Sequence, residues 1–149
     1  MTNVEHWNSP VQLEEKALSE DGDFFKLCGY AATYEKDLVN DEIVPGAFRK
    51  SLTDMAEKGN NLQLYYNHEM NRPPIGHVTL AEERHKGLYY EARLPRDDAF
   101  VRDRIAPQIK IGSIKANSFG YKVRDSQRRK SDNCRMLKQI DIFEISVVG

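Results

Sequence analysis

The chain has 149 residues, 40% of them hydrophobic and 30% charged, enough for one domain with a real core. Its 22 basic and 23 acidic residues leave a net charge of -1, so there is no one-signed field to hold nucleic acid or an anionic membrane surface. No run approaches the ~20 apolar residues that span a bilayer. The N-terminus, MTNVEHWNSP, lacks the basic flank and apolar core of a signal peptide. Residues 1–22 are polar and weakly patterned, and predict a flexible arm that orders at most on assembly.

The domain is expected over 23–149. FFKLCGYAATY predicts a strand from Phe24, with Gly29 marking a bulge or a close backbone approach. Pro45 suits a first helical turn, and Ala47, Phe48, Leu52 and Met55 then form one apolar helical face closed by Gly59 and Asn60. LQLYYNHEM returns to strand alternation, with His68 at its end. RPPIG is a rigid turn. HVTLAEE and GLYYEARL follow as strands joined by ERHKG, an antiparallel hairpin. A second helix is expected from Arg96 or Asp97 to about Pro107. IGSIKANSFGYKVRD and MLKQIDIFEISVVG complete the β segments. The pattern predicts an α+β fold, a mostly antiparallel sheet or barrel of about seven strands with a few flanking helices.

Cys28 and Cys134 lie far apart and outside any CxxC pattern, as expected for reduced thiols of a protein made and used in a cytoplasm. The histidines are not spaced as HExxH, and His68, Glu69 and His77 make no diagnostic ligand set; neither metal nor cofactor is expected.

A nucleophilic hydroxyl needs a base in reach, a group orienting that base, and donors for the oxyanion. His6 and His85 read as solvated, and His77 as structural. His68, flanked by Asn67 and Glu69, stays open between a structural and a catalytic role. Ser9, Ser19, Ser51, Ser126 and Ser131 lie in polar stretches and read as surface or capping groups. Ser118 precedes Gly120 by two residues, which allows close backbone approach. No GxSxG or SxxK motif is present. Glu144 is a carboxylate in the apolar strand IDIFEISVV and must be paired, solvated or functional. Strict alternation puts Ile142, Glu144 and Ser146 on one face. Glu42, Glu82, Glu83 and Glu91 read as solvated.

Taken in order, GYAATYEKD, EIVPGAF, LYYNHEMNRPPIGHV, GLYYEARLP, IKANSFGYKV and IDIFEISVV resemble the prohead (capsid maturation) serine proteases of tailed phages, a family related in fold to the herpesvirus assemblins. The resemblance covers about 24–148. It implies a serine endopeptidase with Ser118 as nucleophile and His68 as general base. Glu144 would orient the imidazole, with His77 as the alternative because assemblins use a second histidine there. It implies scaffold, the scaffold-like arm of the major capsid protein, and the protease itself as substrates. The place of action would be the assembling procapsid in the host cytoplasm, and the active form a homodimer or higher oligomer. The family commonly continues beyond SVV, so a natural C-terminal extension is expected to be absent. The competing expectations are a non-catalytic capsid assembly or scaffold component with the same fold, and a small β-rich binding module.

Overall fold

The computed structural model describes residues 3–59 and 62–149. Among them, ten strands form one mixed sheet that curls into a half-barrel, with few helices. In chain order the strands are β1 (Glu5–His6), β2 (Val11–Gln12), β3 (Leu18–Asp21), β4 (Phe24–Thr33), β5 (Asp41–Ile43), β6 (Gln63–Tyr66), β7 (Gly76–Glu83), β8 (Gly87–Pro95), β9 (Ala116–Arg128) and β10 (Arg135–Val148). The α+β class agrees with the sequence pattern, whereas the expected seven strands become ten. The excess comes largely from the segment expected as a flexible arm. Within 1–22, β1 and β2 pair with β9, and β3 pairs with β4.

Two pairings are parallel, which a chain of local hairpins does not anticipate. β5 and β6 both lie along one edge of the 14-residue β10, at Arg135–Leu137 and Ile145–Val147 respectively. Helix α1 (Arg49–Glu57) makes the crossover between them. The stretch of β10 that neither strand reaches is satisfied by this connection. Ala47 C=O accepts from Ile140 N–H at 3.0 Å, and Ser51 Oγ accepts from Ile142 N–H at 3.0 Å. Ser51 is therefore buried and structural, because a buried strand N–H must find a partner.

The VPGAF turn is held in a similar way. Glu83 accepts from Gly46 N–H at 2.6 Å, Phe48 N–H at 3.1 Å and the Tyr34 hydroxyl at 2.8 Å. A residue read from sequence as solvated thus satisfies N–H groups ahead of α1. Glu42 and Glu91 likewise carry partners, Arg129 for the first and Tyr89 and Lys26 for the second. Gly59 ends α1 region with positive φ as expected, while Asn60 lies outside the described residues.

The second helix begins and ends later than expected. Asp98 accepts from Val101 N–H at 3.0 Å, a π-helical turn covers Val101–Ile105, and α2 runs over Ala106–Ile111. Pro107 does not close a helix: the helical backbone runs on through it from the π-helical turn into α2.

The core lies inside the curl and includes Leu27, Phe48, Leu64, Leu88, Tyr90, Phe119, Tyr121, Ile140 and Ile145. β4 and β9 approach closely there. A Cβ on Gly29 would stand 2.9 Å from Asn117 Nδ2, which explains the glycine in a strand. Asn117 is itself pinned, accepting from the Tyr90 hydroxyl at 2.5 Å and donating to Val11 C=O at 3.3 Å. The β7–β8 hairpin forms as expected, closed by Arg84 and Gly87. A Cβ on Gly87 would lie 2.1 Å from the Ala32 carbonyl oxygen, a backbone atom of β4 that cannot yield cheaply. Gly87→Ala should therefore lower the unfolding free energy by at least about 2 kcal/mol, measured by urea denaturation.

Candidate functional site

β9 and β10 pair antiparallel along almost their whole length, and one irregularity in that ladder builds the site. Between Ile142, opposite Tyr121, and Glu144, opposite Gly120, β10 carries one extra residue, Phe143. The bulge resets the alternation. Ile142, Ile145 and Val147 oppose the inward Tyr121, Phe119 and Asn117, whereas Glu144 and Ser146 oppose Gly120 and Ser118 on the other face. Strict alternation, which grouped Ile142 with Glu144, fails at this one residue.

Glu144 is fully buried, and a lone carboxylate there would be costly. Two donors meet it. His68 Nδ1 stands 2.5 Å from Oε1 and 3.1 Å from Oε2, and the Ser146 hydroxyl donates to Oε1 at 2.9 Å. Gly120 leaves the space: a Cβ there would lie 3.3 Å from Glu144 Cδ.

His68 is set by the turn after β6. Asn67 and His68 both take left-handed backbone angles, φ 54° and 60°, which non-glycine residues seldom adopt. The conformation is over-determined by its hydrogen bonds. Asn67 N–H donates to Val147 C=O at 2.9 Å, and His68 N–H donates to Ser146 Oγ at 3.0 Å. Ser146 therefore bridges the backbone of His68 to the carboxylate that binds its ring. With Nδ1–H donated to Glu144, the neutral ring presents Nε2 as its basic nitrogen, and Nε2 has no hydrogen bond among the described residues.

Ser118 is buried and lies directly opposite Ser146. Its hydroxyl is not hydrogen-bonded to His68; it donates to Trp7 C=O at 3.4 Å. His77 is elsewhere, exposed on β7 with Gln63 as its ring partner at 3.2 Å. The structure thus brings Glu144 to His68 and puts Ser118 across from the residue that links them.

Two contributors escaped the sequence reading. Ser146 was legible only as a strand serine, and no local signal distinguishes it. His6, read as solvated, stacks on His68 with ring centroids 3.9 Å apart and planes 6° from parallel. Burial and the neighbouring His68 lower the His6 pKa below its ordinary 6.5, against a smaller opposite pull from Glu144.

Residues 11–149 match the family model described as caudovirus prohead serine protease. The prohead protease of Escherichia phage T5 is 25% identical over 146 residues, covering 95% of this chain and 67% of the T5 protein. The solved structure of the bacteriophage T4 capsid assembly protease matches with a TM-score of 0.67 at 13% identity, over 99% of this chain and 96% of that one. At that identity the T4 likeness speaks for the fold.

The docked arm favours neutral His6, so its hold is full above pH 6.5 and weakens as the pH falls from there toward the lowered pKa. NMR titration should find the His6 ring titrating below 6.5, and returning toward 6.5 when Glu5→Lys loosens the arm.

Proposed function

Because the chain belongs to the caudovirus prohead serine protease family, we propose that it cleaves peptide bonds during phage capsid maturation with Ser118 as nucleophile, His68 as general base and Glu144 as the group that orients the base. The observation that carries this reading is the buried carboxylate of Glu144 on His68 Nδ1, on the β10 face that opposes Ser118.

The chemistry follows from those atoms. Glu144 holds the imidazole in the tautomer whose Nε2 accepts a proton, and it stabilises the imidazolium that forms. Nε2 takes the proton of Ser118 as Oγ attacks a peptide carbonyl. The imidazolium then returns the proton to the leaving amine, giving an acyl-enzyme, and water activated by the same nitrogen hydrolyses it. Ser146 is a positioning residue, holding the backbone of His68 and the carboxylate of Glu144 at once.

The substrate class is protein of the assembling procapsid: scaffold, the scaffold-like arm of the major capsid protein, and the protease itself. The family and the T5 relative support the capsid setting. Among the described residues no helix is long and apolar enough to cross a membrane.

The test is cleavage of scaffold protein together with fluorophosphonate labelling read by mass spectrometry. Ser118→Ala and His68→Ala should abolish both, leaving a folded protein by circular dichroism. Glu144→Gln keeps the shape of the side chain but presents the wrong hydrogen-bonding pattern to Nδ1, and should slow cleavage by about 10³–10⁴-fold. Unchanged cleavage in Ser118→Ala would reject the assignment. Ser146→Ala should cost less, about 10–100-fold, because it removes a support and none of the reacting atoms.

A further inference from the structure

The hydroxyl proposed as nucleophile is covered by the chain's own N-terminus, and the manner of the covering is informative. β1 lies antiparallel to β9, with Glu5 opposite Tyr121 and His6 opposite Gly120, and Trp7 N–H donates to Phe119 C=O at 3.2 Å. β2 resumes the pairing with Val11 opposite Asn117 and Gln12 opposite Ala116. Between these ladder pairs β9 has two residues, Phe119 and Ser118, while the arm has four, Trp7 to Pro10; beyond the Trp7–Phe119 hydrogen bond, Ser118 alone faces Asn8, Ser9 and Pro10. The arm therefore pairs on both sides of Ser118 and departs from the ladder at the serine itself. There the Trp7 carbonyl accepts the Ser118 hydroxyl.

Three further contacts hold this strand. Trp7 is 2% exposed and packs on Phe119 and Tyr121, with centroids 6.1 and 6.3 Å away. Glu5 pairs with Arg135 at 2.7 Å, and Arg135 is itself fixed by Asp41. His6 covers one face of the His68 ring. The docking is not fully satisfied, however. The Trp7 indole N–H and the Tyr121 hydroxyl are buried without hydrogen-bond partners among the described residues, which favours release into water. The family model matches from residue 11, so Glu5, His6 and Trp7 precede its matched residues, while the T4 structural match extends over 99% of the chain.

We propose that the outer edge of β9 over residues 116–121 is a peptide-docking edge, held in this state by residues 5–12 as an intrasteric strand that an extended substrate polypeptide must displace. The edge supplies main-chain donors and acceptors to an incoming strand, and the Phe119–Tyr121 surface takes a bulky apolar side chain beside the carbonyl presented to Ser118. With the arm docked, Ser118 is engaged by a carbonyl, the His68 ring is covered, and no substrate strand can pair. The inference rests on the assignment of Ser118 as nucleophile.

Trp7 is the chain's single tryptophan, so intrinsic fluorescence reports arm release directly. The test uses the full chain. In a Cys28→Ala background, Gln12→Cys with Ala116→Cys places two thiols on directly opposed residues that can lock the arm. Oxidation should slow fluorophosphonate labelling of Ser118 by at least about tenfold, with recovery on adding dithiothreitol. Glu5→Lys should act oppositely, raising acrylamide quenching of Trp7 and speeding labelling several-fold. Equal labelling of the oxidised and reduced forms, or faster Trp7 quenching with labelling unchanged, would overturn the occlusion while leaving Ser118 as nucleophile. If Glu5→Lys exposes Trp7 and Ser118 is labelled in no form, the nucleophile assignment itself fails and the inference falls with it.

Discussion

The ladder between β9 and β10 carries an extra residue at Phe143, and much of the molecule is arranged around that one insertion. Without it, the side chain that alternates with Ile142 would be Glu144, and either a carboxylate would enter the core or an isoleucine would leave it. The bulge lets Ile142 and Ile145 both face the core and turns Glu144 to the opposite face, beside Gly120. The same strand then offers its far edge to β5, the VPGAF–α1 crossover and β6 in succession, so the histidine at the end of β6 arrives over the carboxylate.

Burying Glu144 fully costs several kcal/mol unless its lone pairs are met by good donors. The His68 ring and the Ser146 hydroxyl meet them, and Ser146 also receives the His68 backbone N–H. This closed set of hydrogen bonds, with Asn67 N–H on Val147 C=O, holds two successive residues in left-handed conformations that would otherwise be disfavoured. The strain and the buried charge thus stabilise one another's geometry. A histidine held in this way has one orientation and one tautomer.

The N-terminal segment shows how tertiary pairing overrides composition. Its low hydrophobicity and mixed charge offer no face for an independent element, which is why the sequence alone suggests a flexible arm. An exposed edge of β9 supplies what the segment lacks: main-chain partners for β1 and β2, an aromatic surface for Trp7 and a guanidinium for Glu5. Few of these contacts are local, so no window of sequence announces them.

Local patterning was sufficient for α1, for the β7–β8 hairpin, for Gly29 as a point of close approach, and for the α+β class, because each depends on periodicity or on the sterics of a glycine near at hand. The ordered motifs also singled out Ser118, His68 and Glu144, and the family match over 11–149 agrees with that resemblance. Folding alone decided the rest. The parallel pairing of β5 and β6 with β10, the bulge at Phe143, the hold of Ser146 on the His68 backbone, and the covering of Ser118 and His68 by Trp7 and His6 all join residues tens of positions apart. Such contacts are set by which strand edges are left unpaired once the core closes, a property of the whole sheet and of no segment within it.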